Sequence, residues 1–121
     1  MKILKFRNHK CFERDLKKLE KRFPTIREDL KIMVNAQLKL YHGMPGLITG
    51  GVFEIPGLKV KDYRFFKVKK MACKSLKGRG SKTGLRVIYS FTEPDTIEFI
   101  EIYYKSDKEN EDRQRIKDLY K

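Results

Sequence analysis

A chain of 121 residues has the length of one domain, and its spread of large apolar side chains excludes a wholly disordered protein. Two widely separated cysteines, Cys11 and Cys73, indicate neither a disulfide framework nor a zinc site, and they predict a reducing, cytoplasmic environment. No apolar run nears the roughly 20 residues that span a bilayer, and Met1–Lys10 lacks the apolar segment of a secretory signal.

The positive charge of the chain is concentrated in one part of the sequence. The formal net charge is +13, and between Lys59 and Arg86 there are eleven basic residues and a single acid, Asp62. A charge that served solubility alone would be interspersed with acids. A solvated edge strand protected by lysines is the plainer interpretation, but the concentration favours an anionic partner, either nucleic acid or an acidic protein.

The first third of the chain predicts a strand followed by two helices. Alternating apolar and basic side chains from Lys2 to Arg7 indicate a short strand. From about His9 the apolar residues recur at helical spacing in a single stripe, formed by Phe12, Leu16, Leu19 and Phe23. Pro24 ends this helix, and the capping-box spacing of Thr25 and Glu28 predicts the start of the second helix.

Gly43 and Pro45 mark the end of the second helix, and the stretch His42–Asp62 around them predicts a loop because it is rich in glycine and proline. Within it, Gly50-Gly51 would suit a short hairpin. The apolar residues of the stretch predict that it packs onto the domain rather than extending freely; they are Leu47, Ile48, Val52, Phe53, Ile55 and Leu58.

The second half of the chain predicts three strands and a last helix. The strands are Tyr63–Lys77, Leu85–Thr92 and Thr96–Lys105, and their short links favour an antiparallel meander. Ser106 and Glu109 repeat the capping-box spacing and predict the start of the helix. The expected fold is a single α+β domain over residues 1–121 with the order β-α-α-β-β-β-α. In it, the helix pair covers one face of an antiparallel sheet and the opposite face is open and basic.

Alternation along the strand 85–92 places Arg86 away from the core. The apolar side, which suits the sheet face beneath the helices, consists of Leu85, Val87, Tyr89 and Phe91. Arg86 then projects from the opposite, uncovered face among the lysines of the preceding strand and turn. The same alternation puts Glu98 and Glu101 on opposite faces of the last strand, which argues against a paired-carboxylate site there.

Clustered cations with a tyrosine beside them suit the cleavage of RNA by its own 2′-hydroxyl group. That reaction needs a base, a proton donor for the leaving 5′-oxygen and positive charge beside the phosphorus. Arginine supplies the charge because its planar guanidinium matches two phosphate oxygens, and a lysine surrounded by other cations can act as a base. No metal or cofactor is required. The same residues would also serve to bind phosphate alone, so composition does not separate cleavage from binding.

Two segments of the chain carry a family pattern. One is Gly84-Leu85-Arg86-Val87-Ile88-Tyr89, a strand of the form G-x-R-V-I-Y, and the other is 102–111, a strand end of the form Y-x-K-x-x-K-E. Together they resemble the RelE/ParE superfamily of toxin–antitoxin toxins, particularly its HigB-like, RelE-like branch. The lysine-rich strand, the turn 79–82 and the two leading helices extend the resemblance over nearly the whole chain.

This resemblance implies a toxin that cuts mRNA on the ribosome without a metal. A cognate antitoxin would silence it, and the protein would contact operator DNA only through that antitoxin. By the same likeness Arg86 stabilises the scissile phosphate, and Tyr104 and Lys105 lie where the family's remaining active-site groups cluster. The likeness assigns RNA binding to the basic strand and turn, namely Lys70, Lys74, Lys77, Arg79 and Lys82.

Two other functions stay as alternatives. A ParE-like toxin would inhibit DNA gyrase by binding it and would not be an enzyme, and a basic accessory protein would bind RNA without cutting it. The gyrase-binding branch typically lacks the catalytic cluster, so a basic cleft with Arg86 favours the nuclease. The expected partners are therefore mRNA on the ribosome and an antitoxin, with no membrane and no cofactor.

Overall fold

The computed structural model describes residues 3–44, 50–58 and 60–121, in which a first strand is followed by a run of helices, a run of strands and a last helix. In chain order they are β1 (Lys5–Asn8), α1 (Lys10–Glu20), α2 (Ile26–Met33), a π-helical turn (Val34–Leu38), α3 (Lys39–Gly43), β2 (Val52–Glu54), β3 (Arg64–Val68), β4 (Leu85–Thr92), β5 (Thr96–Tyr104) and α4 (Arg113–Leu119). This content confirms the predicted α+β class. Within the described ranges, none of the helices has the length and apolar character to cross a membrane.

The sheet is mixed rather than antiparallel. Its order is β1-β5-β4-β3-β2, with antiparallel pairs from β5 through to β2 and a parallel pair between β1 and β5. No tight turn joins β1 to β5, so their connection does not force them to run in opposite directions. The prediction of an antiparallel sheet is therefore wrong at this edge, whereas β3, β4 and β5 form the predicted meander.

The glycine- and proline-rich stretch contains a strand that its composition does not predict. β2 pairs with β3. The prediction of a hairpin around Gly50-Gly51 depends on residues 45–49, which lie outside the described ones. The buried apolar residues of the stretch, which pack down as predicted, are Val52, Ile55 and Leu58. Phe53 does not follow that prediction, because 45% of it is exposed. The predictions for Lys2, Pro45, Leu47, Ile48 and Lys59 concern positions outside the described residues.

The helices α1 and α2 cover one face of the sheet and form the main core with it. The predicted stripe of the first helix is buried there; it consists of Phe12, Leu16, Leu19 and Phe23. The sheet face that it meets is the predicted apolar side of β4, formed by Leu85, Val87, Tyr89 and Phe91. Helical periodicity and strand alternation therefore determine this half of the core.

Neither predicted capping box forms. The hydroxyl group of Thr25 donates to the carboxylate of Asp29 (2.7 Å) and accepts from the N–H group of Ser75 (3.1 Å), and it caps no N–H group of α2. The last helix begins at Arg113 rather than near Ser106, and the side chain of Asp112 caps it. Backbone N–H groups just after Ser106 donate to the end of β5, so the chain turns there and the helix starts later.

A β-bulge in β5 changes which side chains share a face. The register with β4 shifts between Ile88 and Tyr89, and this shift leaves Ile100 as an extra residue. The alternation is reversed beyond the bulge, so Glu98 and Glu101 lie on the same face of the sheet, opposite Ser90 and Ile88 respectively. The prediction that these two carboxylates lie on opposite faces is therefore wrong.

The opposite face of the sheet is covered along most of its length. Ile116 in α4 and Tyr120 just after it pack on Ile88 and Ile100 and form a second core. This face carries apolar side chains whose exposure to water would cost free energy, and α4 removes that cost. The prediction of an open basic face is therefore wrong for the middle of the sheet and holds only at the end that contains Arg86.

We predict that the second core contributes substantially to stability. Replacing Ile116, which is fully buried, with alanine should lower the free energy of unfolding by ~2–5 kcal/mol, because the change leaves a cavity. The matched control is Leu119→Ala, three residues along α4 at a position 40% exposed, which should cost less than ~1 kcal/mol. Urea unfolding followed by circular dichroism measures both. Equal effects would show that α4 does not dock as described.

Candidate nucleic-acid interface

A cleft lies at the uncovered end of the sheet, and the described residues that line it include six cationic side chains and no carboxylate. It lies where β2, the chain after β3, the start of β4 and the chain after β5 converge. The cations are Lys69, Lys70, Arg79, Lys82, Arg86 and Lys105. The other lining residues are Phe53, Ser81, Thr83, Gly84 and Ser106. We call these eleven residues the basic cleft.

The cations of the basic cleft are not neutralised by the protein. None of the six forms an ion pair with any of the described residues. Other cations of the same basic stretch do: Arg64 pairs with Glu54, and Lys67 pairs with Glu111. Uncompensated like charges in a concave surface create a positive potential, which attracts a polyanion.

Arg86 is half-buried in the cleft and faces away from the main core, as predicted. Its Nη1 atom donates to the backbone carbonyls of Lys69 (2.9 Å) and Leu85 (3.3 Å). In the described parts of the chain no acceptor binds its Nε or Nη2 atom. The two carbonyls therefore hold the guanidinium in place, while N–H groups stay free to meet two phosphate oxygens.

The turn that carries Arg79 and Lys82 is held by a buried threonine. The Thr83 hydroxyl group donates to the carbonyl of Met71 (2.7 Å) and accepts a hydrogen bond from the N–H group of Leu85 (3.1 Å). The N–H group of Lys82 donates to the carbonyl of Arg79 (2.9 Å) and closes the turn. These bonds fix both cations beside the start of β4.

Lys105 and Tyr104 lie on opposite sides of the end of β5. Lys105 continues the ladder with β4 by one backbone bond, and its side chain is on the same side as Arg86. The ring of Tyr104 packs in the main core, 5.2 Å from that of Phe23. Its hydroxyl group accepts a hydrogen bond from Nη1 of Arg79 (3.3 Å). The structure thus brings Lys105 to Arg86, whereas Tyr104 contacts the cleft through Arg79.

The predicted RNA-binding residues divide into two groups. Those that line the basic cleft are Lys70, Arg79 and Lys82. Lys74 lies outside it and pairs with Glu28 of α2 (2.8 Å), and Lys77 is exposed but does not line the cleft. The prediction assumed one strand to Lys77, but β3 ends at Val68. Alternation therefore cannot place the later lysines on one face.

Among the residues of the cleft that were not predicted as site residues from the sequence are its sixth cation, Lys69, and its aromatic residue, Phe53. The Nζ atom of Lys69 lies 4.9 Å from the centre of the Phe53 ring. The N–H group of Lys69 donates to the carbonyl of Gly51 and continues the pairing of β3 with the chain before β2 by one residue. Alternation from Lys67 was therefore a signal for placing Lys69 on the side of Arg86, although it is not one for the lysines further on. Phe53 follows the buried Val52, so its outward direction could have been predicted only if β2 had been recognised as a strand.

Tyr103, not Tyr104, is the tyrosine directly opposite Arg86 in the ladder. Burial raises the pKa of Tyr103 to about 12, and the carboxylates of Glu111 and Glu101 act in the same direction while Arg86 opposes them. At neutral pH this phenol is therefore a hydrogen-bond donor and not a base. Burial is the largest single influence on the pKa of Glu111 and raises it, but the hydrogen bond and charge of Lys67 and the hydrogen bonds from the backbone and Arg113 together outweigh burial. The net pKa is lowered, so this carboxylate is ionised at neutral pH.

The two histidines lie outside the basic cleft. His42 is buried and shares a hydrogen bond with the hydroxyl group of Tyr89 (2.7 Å), and His9 shares one with that of Tyr120 (3.0 Å). His9 stands at the N-cap position of α1, His42 lies in the last turn of α3, and each bonds to a buried tyrosine. In the ranges that the structure describes, no group of three or more His, Cys, Asp or Glu side chains is placed to hold a metal ion.

Comparison with known proteins does not identify a family. No protein-family model matches the chain, and neither do any curated protein or solved structure. The resemblance of the strand 84–89 and the segment 102–111 to the RelE/ParE superfamily therefore stays a prediction.

We predict that Lys82 binds the backbone of a single-stranded RNA oligonucleotide and that Lys77 does not. Lys82→Gln should weaken binding and make the slope of log affinity against log salt shallower by ~0.7, the loss of one phosphate contact. Lys77→Gln removes the same charge from the same connection and should leave the slope unchanged. Fluorescence anisotropy at several salt concentrations measures both. Equal changes in the two variants would mean that net charge, not the cleft, drives binding.

Proposed function

We propose that this protein is the toxin of a toxin–antitoxin module and that it cuts mRNA on the ribosome without a metal. The observation that carries the proposal is the basic cleft, in which Arg86 and five further cations face solvent without a neutralising carboxylate. The resemblance of the strand 84–89 to the RelE/ParE superfamily supports RNA cleavage as the chemistry that this cleft performs.

The chemistry of the proposal is transesterification of the RNA backbone. The 2′-oxygen attacks the adjacent phosphorus, the bond from phosphorus to the 5′-oxygen breaks, and the products are a 2′,3′-cyclic phosphate and a 5′-hydroxyl group. Negative charge grows on the non-bridging phosphate oxygens as the reaction proceeds. The free N–H groups of Arg86 are suited to these oxygens because two parallel hydrogen bonds strengthen as that charge increases.

The other proposed active-site residues have distinct positions. Lys105 lines the cleft on the side of Arg86 and is the cation that we assign to the leaving 5′-oxygen. Tyr104 is held in the main core, and its hydroxyl group fixes the guanidinium of Arg79. Tyr104 therefore acts as a positioning residue for an RNA-binding arginine. Lys69, Lys70 and Lys82 complete the backbone-binding set.

The proposal implies two macromolecular partners in the cytoplasm. One is mRNA bound to the ribosome, and the other is a cognate antitoxin, through which the protein would meet operator DNA. A second candidate, RNA binding without cleavage, is favoured by one observation: the Tyr104 hydroxyl group is bound to Arg79 and its ring packs in the main core.

We predict that Arg86→Ala abolishes toxicity while the protein remains folded. The side chain contributes to neither core, so the fold should survive, whereas the phosphate loses its bidentate partner. Arg86→Lys keeps the charge but not the planar pair of donors and should restore activity only in part. The measurements are growth after induction, mapped mRNA ends and the circular dichroism spectrum, with Lys77→Gln as the toxic control.

Three outcomes would contradict the proposed function. Intact mRNA together with supercoiling defects would point to gyrase as the target. Binding of RNA without new ends inside translated codons would make the protein an accessory RNA-binding factor. Cuts that require an added transition metal, at a magnesium concentration that keeps the ribosome intact, would contradict metal independence. Unfolding of Arg86→Ala would overturn the placement of Arg86 outside the cores.

A further inference from the structure

Phe53 is a large apolar side chain that the fold leaves exposed inside a charged cleft. It lies on the edge strand β2 and lines the basic cleft, with 45% of its surface in contact with solvent. Its neighbour Val52 is buried in the main core and Ile55 in the second core. Apolar side chains close to Phe53 in the sequence are therefore buried in the two cores, whereas this ring is exposed to solvent.

The backbone around Phe53 is tightly held. The N–H group of Lys69 donates to the carbonyl of Gly51 (2.9 Å), and that of Ile55 donates to the carbonyl of Phe65 (2.8 Å). A Cβ atom at Gly51 would meet the side-chain oxygen of Gln37 and lie 3.2 Å from the Cβ atom of Lys70, so neighbouring side chains pack against this position. The backbone that carries Phe53 is thus held by hydrogen bonds on both sides of the residue, so binding would order at most the side chain and not the strand.

The surroundings of the ring select the kind of ligand that it can take. Phe53 pairs with Lys67 across the ladder, and this register puts the ring on the same side of the sheet as Arg86. The ammonium group of Lys69 lies 4.9 Å from the ring centre. A planar ring surrounded by unpaired cations matches a ligand that carries both a flat aromatic group and a phosphate. A nucleotide has both.

We propose that Phe53 is a stacking platform for one unpaired base of a single-stranded RNA whose phosphates occupy the cations of the basic cleft. This inference rests on the proposed function and adds the residue that orients the strand. The base stacks on the exposed ring while the adjacent phosphate meets Arg86 and Lys69. A paired base cannot reach the ring, because its faces are covered by its neighbours in the duplex, so Phe53 makes the cleft selective for single strands.

The test compares two ligands of equal charge on two variants. The ligands are a labelled single-stranded RNA hexamer and a hexamer with the same backbone and no bases. Phe53→Ala should weaken binding of the RNA by about 5- to 150-fold and leave binding of the abasic strand unchanged. Phe53→Tyr should bind both ligands as the natural protein does. The control is Leu119→Ala, which truncates another exposed apolar side chain outside the cleft.

The outcomes separate this inference from the proposed function. If Phe53→Ala binds RNA normally while Lys82→Gln binds it weakly, the stacking role is wrong and the phosphate-binding cleft stands. If Phe53→Ala weakens both ligands equally, the ring supports the cleft without stacking, and the inference is again wrong. If the natural protein binds neither ligand, the proposed function and the inference both fail. Circular dichroism of each variant confirms that it is folded.

Discussion

α4 covers the middle of β4 but does not reach the start of that strand. The position of the candidate site follows from this incomplete cover. α4 is fastened at two points: the hydroxyl group of Tyr120 bonds to that of Ser90 (2.7 Å), and Arg115 pairs with Asp15 of α1 (2.7 Å). These bonds keep the middle of the sheet dry. Arg86 lies beyond this cover, at the start of β4, where its backbone is part of the ladder and its side chain can meet solvent.

The concentrated positive charge of the cleft lowers the stability of the folded protein and favours the binding of an anionic ligand. Six cations that line one concave surface repel one another, and no carboxylate in the lining offsets that repulsion. Lys67, on the same side of the sheet, is instead neutralised by Glu111, just before α4. The fold therefore pairs the cations next to the second core and leaves those of the cleft to a polyanion, whose phosphates would remove the repulsion on binding.

The sequence pattern predicted the features that depend on a single strand or helix. It did not predict the features that depend on contacts between elements distant in the sequence. Alternation along β4 predicted the outward direction of Arg86, because a ladder fixes that period. It could not predict the bulge at Ile100, since that depends on how β4 and β5 register against two cores. Nor could it show that Lys74 pairs with Glu28, because this pair exists only once the chain bends away after β3. The sequence pattern also could not predict that α4 docks on the sheet, because this docking depends on tertiary packing.

Protection of individual lysines from acetylation, read by mass spectrometry with and without single-stranded RNA, tests the central claim most directly. We expect RNA to protect Lys69, Lys70, Lys82 and Lys105, which line the cleft. Lys77 and the lysines of α1 should react equally in both conditions. Protection spread evenly over all surface lysines, or confined to residues outside the cleft, would contradict the account.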